Sequence, residues 1–156
     1  MASQLQWQCH RFDGFTPLGL YQVLQLRDQV FVVEQRSIYG DIDGTDLDCW
    51  HLCGRDGDGE LAAYARLIAP DEKYPGAVAI GRVVVAPALR GHGLGRQLMA
   101  EAIAQCARLW PGVPMALSAQ IAAQELYRQF GFETEGEPYD DGGILHIDMR
   151  RPAAAA

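Results

Sequence analysis

The 156-residue chain has a formal net charge of -7, with 49% hydrophobic and 21% charged residues. These values are typical of a globular protein, and the acidic balance argues against a nucleic-acid partner, because such binding depends on Lys and Arg neutralising phosphates. The apolar runs, such as 77–88, fall short of the roughly 20 residues that span a bilayer, so we expect no membrane partner. The first residues lack a secretory pattern and the four cysteines favour reduced thiols, which predicts a cytoplasmic location.

The apolar pattern in the first half of the chain predicts one helix and several strands. A short strand over 4–9 precedes a helix that Thr16 caps. Apolar residues continue at helical spacing as far as Val30 and Phe31, which predicts an α-helix over this whole stretch. A Gly- and Asp-rich loop over 38–48 follows, and its carboxylates are expected to be solvated or to attract an amine. Two strands joined by the turn 56–59 then lead to a third strand over 77–85, which is rich in Val and expected to be buried on both faces. The two joined strands are 49–55 and 61–69.

The second half alternates helices and strands. A long helix from Leu94 to Leu109 ends before Pro111, and a strand over 115–119 leads to a short helix with Gly131 as its C-cap. The short helix covers 123–130, and final strands around 132–135 and 145–149 flank a turn-rich stretch over 136–143. The order predicts an α/β fold around a mixed sheet, with one domain over 1–152 and a disordered tail over 153–156.

A glycine-rich turn joins the strand 77–85 to the long helix. Glycines let a ligand approach the backbone closely, and the N-terminus of a helix adds partial positive charge, so the turn is suited to a phosphate or pyrophosphate. A Walker A loop would need Gly-Lys-Ser/Thr here, and a dinucleotide fingerprint would need a third glycine where Arg96 stands. Neither pattern matches.

The same turn resembles the GNAT acetyltransferase superfamily. Its Arg/Gln-x-x-Gly-x-Gly/Ala pattern is met by Arg90, Gly93 and Gly95. The segment 123–132, Ala-Gln-Glu-Leu-Tyr-Arg-Gln-Phe-Gly-Phe, resembles a second superfamily element in the expected order. Further segments are similar to the ElaA branch, so the resemblance covers nearly the whole chain. These segments are 27–35, 41–46, His51 and 139–146.

The resemblance implies a fold and a cofactor. A GNAT-type domain has a mixed central β-sheet flanked by helices, and its splayed strands, here 77–85 and 115–119, form an acetyl-CoA cleft. Backbone groups near Val83 would hold the pantetheine arm, and a departure is Gln120, where many members carry Asn. A homodimer is a common form of such proteins. The implied cofactor-binding residues are Val83, Val84, Val85, Arg90, Gly91, His92, Gly93, Leu94, Gly95, Arg96 and Gln120.

Catalytic residues follow in part from the same resemblance. Tyr127 occupies the superfamily position of the general acid that protonates the coenzyme A sulfur. Many members of the superfamily carry the base that deprotonates the amine, a Glu, on the strand before the glycine turn. The strand 77–85 has no carboxylate, so here the base must come from elsewhere. Glu34 and His51 are the leading candidates. The further candidates are Asp43, Asp46 and His146.

Two other features receive structural interpretations. Arg82 is isolated in a Val-rich strand, which predicts a partnership with a buried carboxylate. Cys49, His51 and Cys53 alternate along a strand, but no second ligand pair accompanies them, so we expect no metal.

Function is predicted as acetyl transfer from acetyl-CoA to an amine of a small molecule or peptide. The alternative is a non-catalytic module that senses acyl-CoA without turning it over. A weaker third interpretation is an acyl-homoserine lactone synthase, because the segment 27–31 faintly resembles those enzymes.

Overall fold

The computed structural model describes residues 4–153. Residues 154–156 of the predicted tail therefore lie outside the described residues. Strands β1 to β7 are Gln6–Arg11, Trp50–Arg55, Leu61–Ile68, Val78–Val85, Met115–Gln120, Glu133–Asp141 and Ile144–Arg151. Helices α1 to α3 are Pro17–Arg27, Leu94–Leu109 and Gln124–Arg128. No helix of this described part is long and apolar enough to cross a membrane.

Within residues 4–153 the strands form one open sheet in the order β1-β2-β3-β4-β5-β7-β6. Strands β1 and β2 are antiparallel, whereas β4 and β5 run parallel and pair at Val78 with Met115 and at Ala79 with Ala116. Strand β7 inserts between β5 and β6 and runs antiparallel to both. The predicted mixed sheet flanked by helices is therefore confirmed.

The chain divides into two compact units, the first comprising Met1–Arg66 and Arg82–Leu98. In this unit Thr16 caps α1 as predicted, because its hydroxyl accepts a 2.9 Å hydrogen bond from the Gly19 amide. The helix then continues as a π-helical segment, Asp28–Glu34, where the apolar pattern predicted an ordinary α-helix. The core of this first unit contains residues of α1, of the π-helical segment and of strands β2 to β4. These residues are Val23, Leu26, Val30, Cys53, Tyr64 and Val84.

The second unit comprises Leu67–Gly81 and Met99–Ala156. Helix α2 has the predicted bounds, and its residues Met99, Ala102 and Cys106 are fully buried. Helix α3 is shorter than the predicted 123–130, because it ends at Arg128 with Gln129 as its C-cap. The predicted C-cap, Gly131, lies in the turn that follows, where its φ is +87° and its amide donates a 3.0 Å hydrogen bond to the Arg128 carbonyl.

Two predictions about strands are wrong. The stretch 136–143 was expected to be turn-rich, yet β6 runs to Asp141 with a register shift between Glu135 and Tyr139. A bulge on an edge strand tolerates Gly136 and Pro138, which is why local composition misled. Strand β4 is buried only in part, because Gly81 to Val83 are half-exposed.

Candidate functional site

The glycine turn between β4 and α2 has the backbone that an anion site requires. Gly91 and Gly93 have φ values of +84° and +79°, which side chains rarely adopt. A Cβ atom at either position would meet no atom within 4 Å, so the space beside the turn is open. Helix α2 begins at Leu94, and the first amides of a helix have no partner inside the helix. The turn can therefore offer amides to a phosphate group.

The predicted residues on either side of the turn lie in three settings. Val84 is buried in strand β4, whereas Val83 and Val85 are half-buried. Gly95 and Arg96 belong to the first turn of α2. Of the other predicted residues, Arg90, Gly91, His92 and Gly93 are exposed, whereas Leu94 is buried.

Arg82 interrupts strand β4 just before these residues. Its φ of +51° is unusual for a side chain in a strand. The guanidinium is held by Asp41, because Arg82 Nε lies 2.6 Å from Asp41 Oδ1 and Nη2 donates to the Asp41 carbonyl at 2.9 Å. The predicted pairing of Arg82 with a buried carboxylate is confirmed. This pairing supports a local distortion of β4 immediately before Val83.

The acidic loop contributes to a network of ion pairs, which we call the arginine–aspartate network. It comprises Arg27, Asp41, Asp43, Asp46, Arg66 and Arg82, and it is buried except at the exposed Asp43 and the half-buried Arg82. Arg27 is fully buried and donates to Asp41 at 2.7 Å and to both oxygens of Asp46 at 2.7 and 3.1 Å. Arg66 contacts Asp43 at 2.6 Å and Asp46 at 3.2 Å. The expectation that the loop carboxylates are solvated is therefore wrong for Asp41 and Asp46.

The charges of this network are mutually stabilised. The Arg66 hydrogen bond holds the pKa of Asp43 well below its usual range. Burial favours the neutral form of Asp46, but the hydrogen bonds and charges of Arg27 and Arg66 outweigh it and lower the pKa of this carboxyl. Burial likewise opposes the charge of Arg27, yet its acidic partners raise its pKa. Asp43 and Asp46 are thus ionised but already engaged.

His51 lies in the interior of the first unit. Its side chain is fully buried, with Nδ1 2.6 Å from the Tyr64 hydroxyl and Nε2 2.8 Å from the Asp46 carbonyl. Burial lowers the pKa of His51, which favours the neutral ring at neutral pH. Proton transfer by His51 would require the ring to release one of these contacts.

Asp46, Cys49 and His51 bring ligand atoms within 4.8 Å of one another. The Asp46 carboxylate is shared by two guanidinium groups, and their positive charge disfavours a divalent cation. Burial also raises the pKa of the Cys49 thiol to about 12, so the thiolate that binds metals is scarce. The arrangement suits hydrogen bonding better than metal binding.

Glu34 ends the π-helical segment at the surface. Its two oxygens accept hydrogen bonds of 2.9 and 3.1 Å from Arg90, and the two side chains keep 44% and 45% of their surface exposed. The structure thus joins one candidate base to the first residue of the glycine turn.

Tyr127 and Gln120 lie in the second unit. Tyr127 is 8% exposed on α3, and its ring meets Phe132 edge to face with centroids 6.3 Å apart. Burial raises the pKa of Tyr127 to about 12, which keeps the hydroxyl protonated, as a general acid requires. Gln120 is the half-buried last residue of β5.

A polar cluster on β5, β6 and β7 was missed from the sequence. The Tyr139 hydroxyl donates to Asp148 at 2.7 Å and also hydrogen-bonds to Ser118. His146 stacks on the Tyr139 ring with centroids 6.2 Å apart. We call Ser118, Tyr139 and Asp148 the hydroxyl–carboxylate chain. It could have been found had 136–143 been interpreted as a strand paired with β7.

A separate cavity of about 350 Å³ lies beside β1, β2 and the start of α1. None of the residues predicted for cofactor binding or catalysis lines it. Arg55, at its wall, donates to Gln22 at 2.9 Å and to the Gly59 carbonyl at 3.1 Å. This cavity is distinct from the glycine turn.

Comparison with known families gives one match that covers most of the chain. Residues 26–152 match the model of the acetyltransferase (GNAT) domain. The protein ElaA of Escherichia coli is 44% identical over 154 residues, covering 97% of this chain and 99% of the relative.

Solved structures agree with this family match. An acyl-CoA N-acyltransferase from Pseudomonas aeruginosa superposes with a TM-score of 0.88 at 46% identity, covering 94% of this chain and 99% of that chain. The crystal structure of Escherichia coli ElaA gives a TM-score of 0.86 at 44% identity, with the same coverage of both chains. The acyl-homoserine lactone synthase LasI gives 0.74 at 18% identity, covering 95% and 89%, and that likeness concerns the fold alone.

Proposed function

Because the chain belongs to the GNAT acetyltransferase family, in which acyl-CoA is the acyl donor, we propose that it transfers an acetyl group from acetyl-CoA to an amine of a small molecule or peptide. The observation that carries this proposal is the open glycine turn, with its two left-handed glycines directly before α2. Such a turn is suited to the pyrophosphate of coenzyme A.

The family resemblance assigns the donor contacts. Backbone groups of Val83 and Val85 hold the pantetheine arm, and the amides from Gly91 to Arg96 hold the pyrophosphate. Gln120 is included as a side-chain contact, although many relatives have Asn there.

Acyl transfer requires a neutral amine, a stabilised oxyanion and a protonated leaving group. We assign Tyr127 as the acid for the coenzyme A sulfur, which agrees with its raised pKa. A backbone N–H of Val83 or Val84 is the proposed oxyanion donor. Glu34 and His51 are the sequence-based candidates for the base, although Glu34 is paired with Arg90 and both ring nitrogens of His51 are engaged.

The remaining expectations concern setting and partners. We propose that residues 1–152 form the N-acetyltransferase domain, which acts in the cytoplasm without metal, nucleic acid or membrane and forms a homodimer.

A binding experiment tests the central claim. Acetyl-CoA at millimolar concentration should raise the Tm of the wild-type protein, and Gly93→Val should abolish this shift, because a side chain would occupy the ligand's approach. Gly112→Val is the matched control, since Gly112 has a similar φ of +74° and open space but follows α2 instead of preceding it. A wild-type protein whose Tm does not respond would contradict the proposal.

Turnover separates the enzyme from a sensor. Thiol release from acetyl-CoA should appear with at least one member of a panel of amines, antibiotics and peptides. Donor binding without thiol release across that panel would favour the sensor.

A further inference from the structure

The hydroxyl–carboxylate chain is organised by strand register. Ser118 on β5 lies directly opposite Asp148 on β7, and Asp148 lies opposite Glu135 on β6. Tyr139 lies opposite His146, two residues from Asp148, so its hydroxyl can reach both Asp148 and Ser118. Residues that pair directly across strands point to the same face. Three strands therefore bring these three side chains to one face.

The hydrogen bonds of this chain have a direction. Tyr139 donates its proton to Asp148 at 2.7 Å, so the Ser118 hydroxyl donates to the Tyr139 oxygen, which retains a second lone pair for another donor. Burial raises the pKa of Tyr139, and the hydrogen bond to Asp148 raises it further. Tyr74 is a second tyrosine beside Asp148, and burial raises its pKa as well. Tyr139 therefore stays protonated at neutral pH, and the carboxylate is the group that can accept a proton.

The hydroxyl–carboxylate chain is accessible to solvent, and the strand beside it is acidic. Tyr139 is 37% exposed, and every residue of β6 is exposed. Strand β6 carries five carboxylates and no basic residue, which favours the approach of a cation. An ammonium group could thus reach the Tyr139 oxygen.

Resting on the proposed function, we propose that Tyr139 and Asp148 remove the proton from the acceptor amine. The ammonium loses one proton to the Tyr139 oxygen while the Tyr139 hydroxyl proton passes to Asp148. The amine becomes neutral, Tyr139 is unchanged and Asp148 becomes neutral. The amine then forms a C–N bond with the thioester carbon and the C–S bond breaks. Tyr127 gives its hydroxyl proton to the departing sulfur and regains a proton as the nitrogen loses its second proton, so the products are the amide and the free thiol, and Asp148 releases its proton to solvent.

Ser118 and His146 hold Tyr139 in place. Ser118 hydrogen-bonds to the hydroxyl, and His146 stacks on the ring while its own Nδ1 lies 2.8 Å from the Ile144 carbonyl. These two residues are positioning residues. The other charged groups near Tyr139 and Asp148 are Asp141, Glu135 and Arg150, and the last two pair with each other at 3.1 Å.

The test compares acceptors that differ in basicity. Thiol release is measured at pH 7.5 with a primary alkylamine accepted by the wild type and with hydroxylamine, which is mostly neutral at this pH. Tyr139→Phe and Asp148→Asn should each lower kcat about 10²-fold with the alkylamine, a typical size for lost acid–base catalysis, and much less with hydroxylamine. The double variant should be no slower than either single variant, because both groups act on one proton.

Matched controls are Tyr21→Phe, on the exposed face of α1, and Asp58→Asn, in the exposed turn between β2 and β3. Both should keep wild-type kcat. Equal losses with alkylamine and hydroxylamine, or a raised Kd for acetyl-CoA with unchanged kcat, would overturn the inference alone. A wild type that releases no thiol with any amine overturns the proposed function and this inference together.

Discussion

The arginine–aspartate network and the hydroxyl–carboxylate chain both contain aspartate side chains, but these aspartates differ in burial and in their hydrogen-bond partners. In the network, Arg27 is fully buried and Asp46 keeps 8% of its side-chain surface, and each carboxylate oxygen of Asp46 faces a guanidinium. In the chain, Tyr139 is 37% exposed and its oxygen retains acceptor capacity. Saturated, buried charges fix a loop in place, whereas a half-buried carboxylate behind an exposed tyrosine remains available for proton transfer.

The largest expected effect comes from breaking the network. Asp46→Asn leaves Arg27 and Arg66 without their shared charge, and removing one partner of a buried ion pair costs about 3–5 kcal/mol. The free energy of unfolding from denaturant titration measures this loss. Asp148→Asn, at a half-buried carboxylate that accepts a hydrogen bond from Tyr139, should cost only about 1 kcal/mol. Equal losses in the two variants would remove the contrast between the regions.

Tyr127→Phe tests whether a buried hydroxyl can still serve chemistry. We expect kcat to fall about 10²-fold, with the Kd for acetyl-CoA nearly unchanged, because the hydroxyl acts on the departing sulfur. Steady-state kinetics and calorimetry measure the two quantities, with Tyr21→Phe as the control. Weaker donor binding with normal kcat would assign Tyr127 to packing instead.

His51→Ala should destabilise the first unit by at least about 1–3 kcal/mol, because it leaves the buried Tyr64 hydroxyl and Asp46 carbonyl without their partner. Glu34→Gln, which changes an exposed ion pair, should cost less than about 1 kcal/mol. The pH profile of turnover is measured in both variants. Loss of the neutral-range limb in one of them would identify that residue as the base and contradict the role of Tyr139 and Asp148.

The smallest effect is the dependence of stability on pH. The pKa of Asp46 and of Asp43 is lowered on folding, so their stabilisation is fully present above about pH 4 and is lost as the pH falls through the folded values. The pKa of His51 is also lowered, so its part is present above about pH 6.5 and lost below it.

Each group changes the free energy of unfolding by at most about 1.4 kcal/mol per pH unit. Denaturant titrations between pH 7 and pH 3 should show both phases in the wild type. The upper phase should be absent from His51→Ala, and its persistence there would exclude His51 as the cause.

Local patterns predicted much of the fold. The bounds of α2 and the Thr16 cap follow from interactions within a few residues, and the structure confirms them, whereas α3 ends before the predicted Gly131 C-cap. The glycine turn is also local, because the demand for positive φ is visible in the sequence. Burial of Asp46 in the acidic loop could not be predicted from local patterns, because its partner Arg66 is 20 residues away in sequence.

By itself, the sequence determined the order of the elements, the GNAT resemblance and the place of the glycine turn, because helix periodicity, capping and turn geometry depend on near neighbours. Tertiary structure decided which charges are saturated and which remain available. Arg82 meets Asp41 and Tyr139 meets Ser118 only because separate segments fold together. Burial and pairing, which set the cost of each charge, are properties of that assembly.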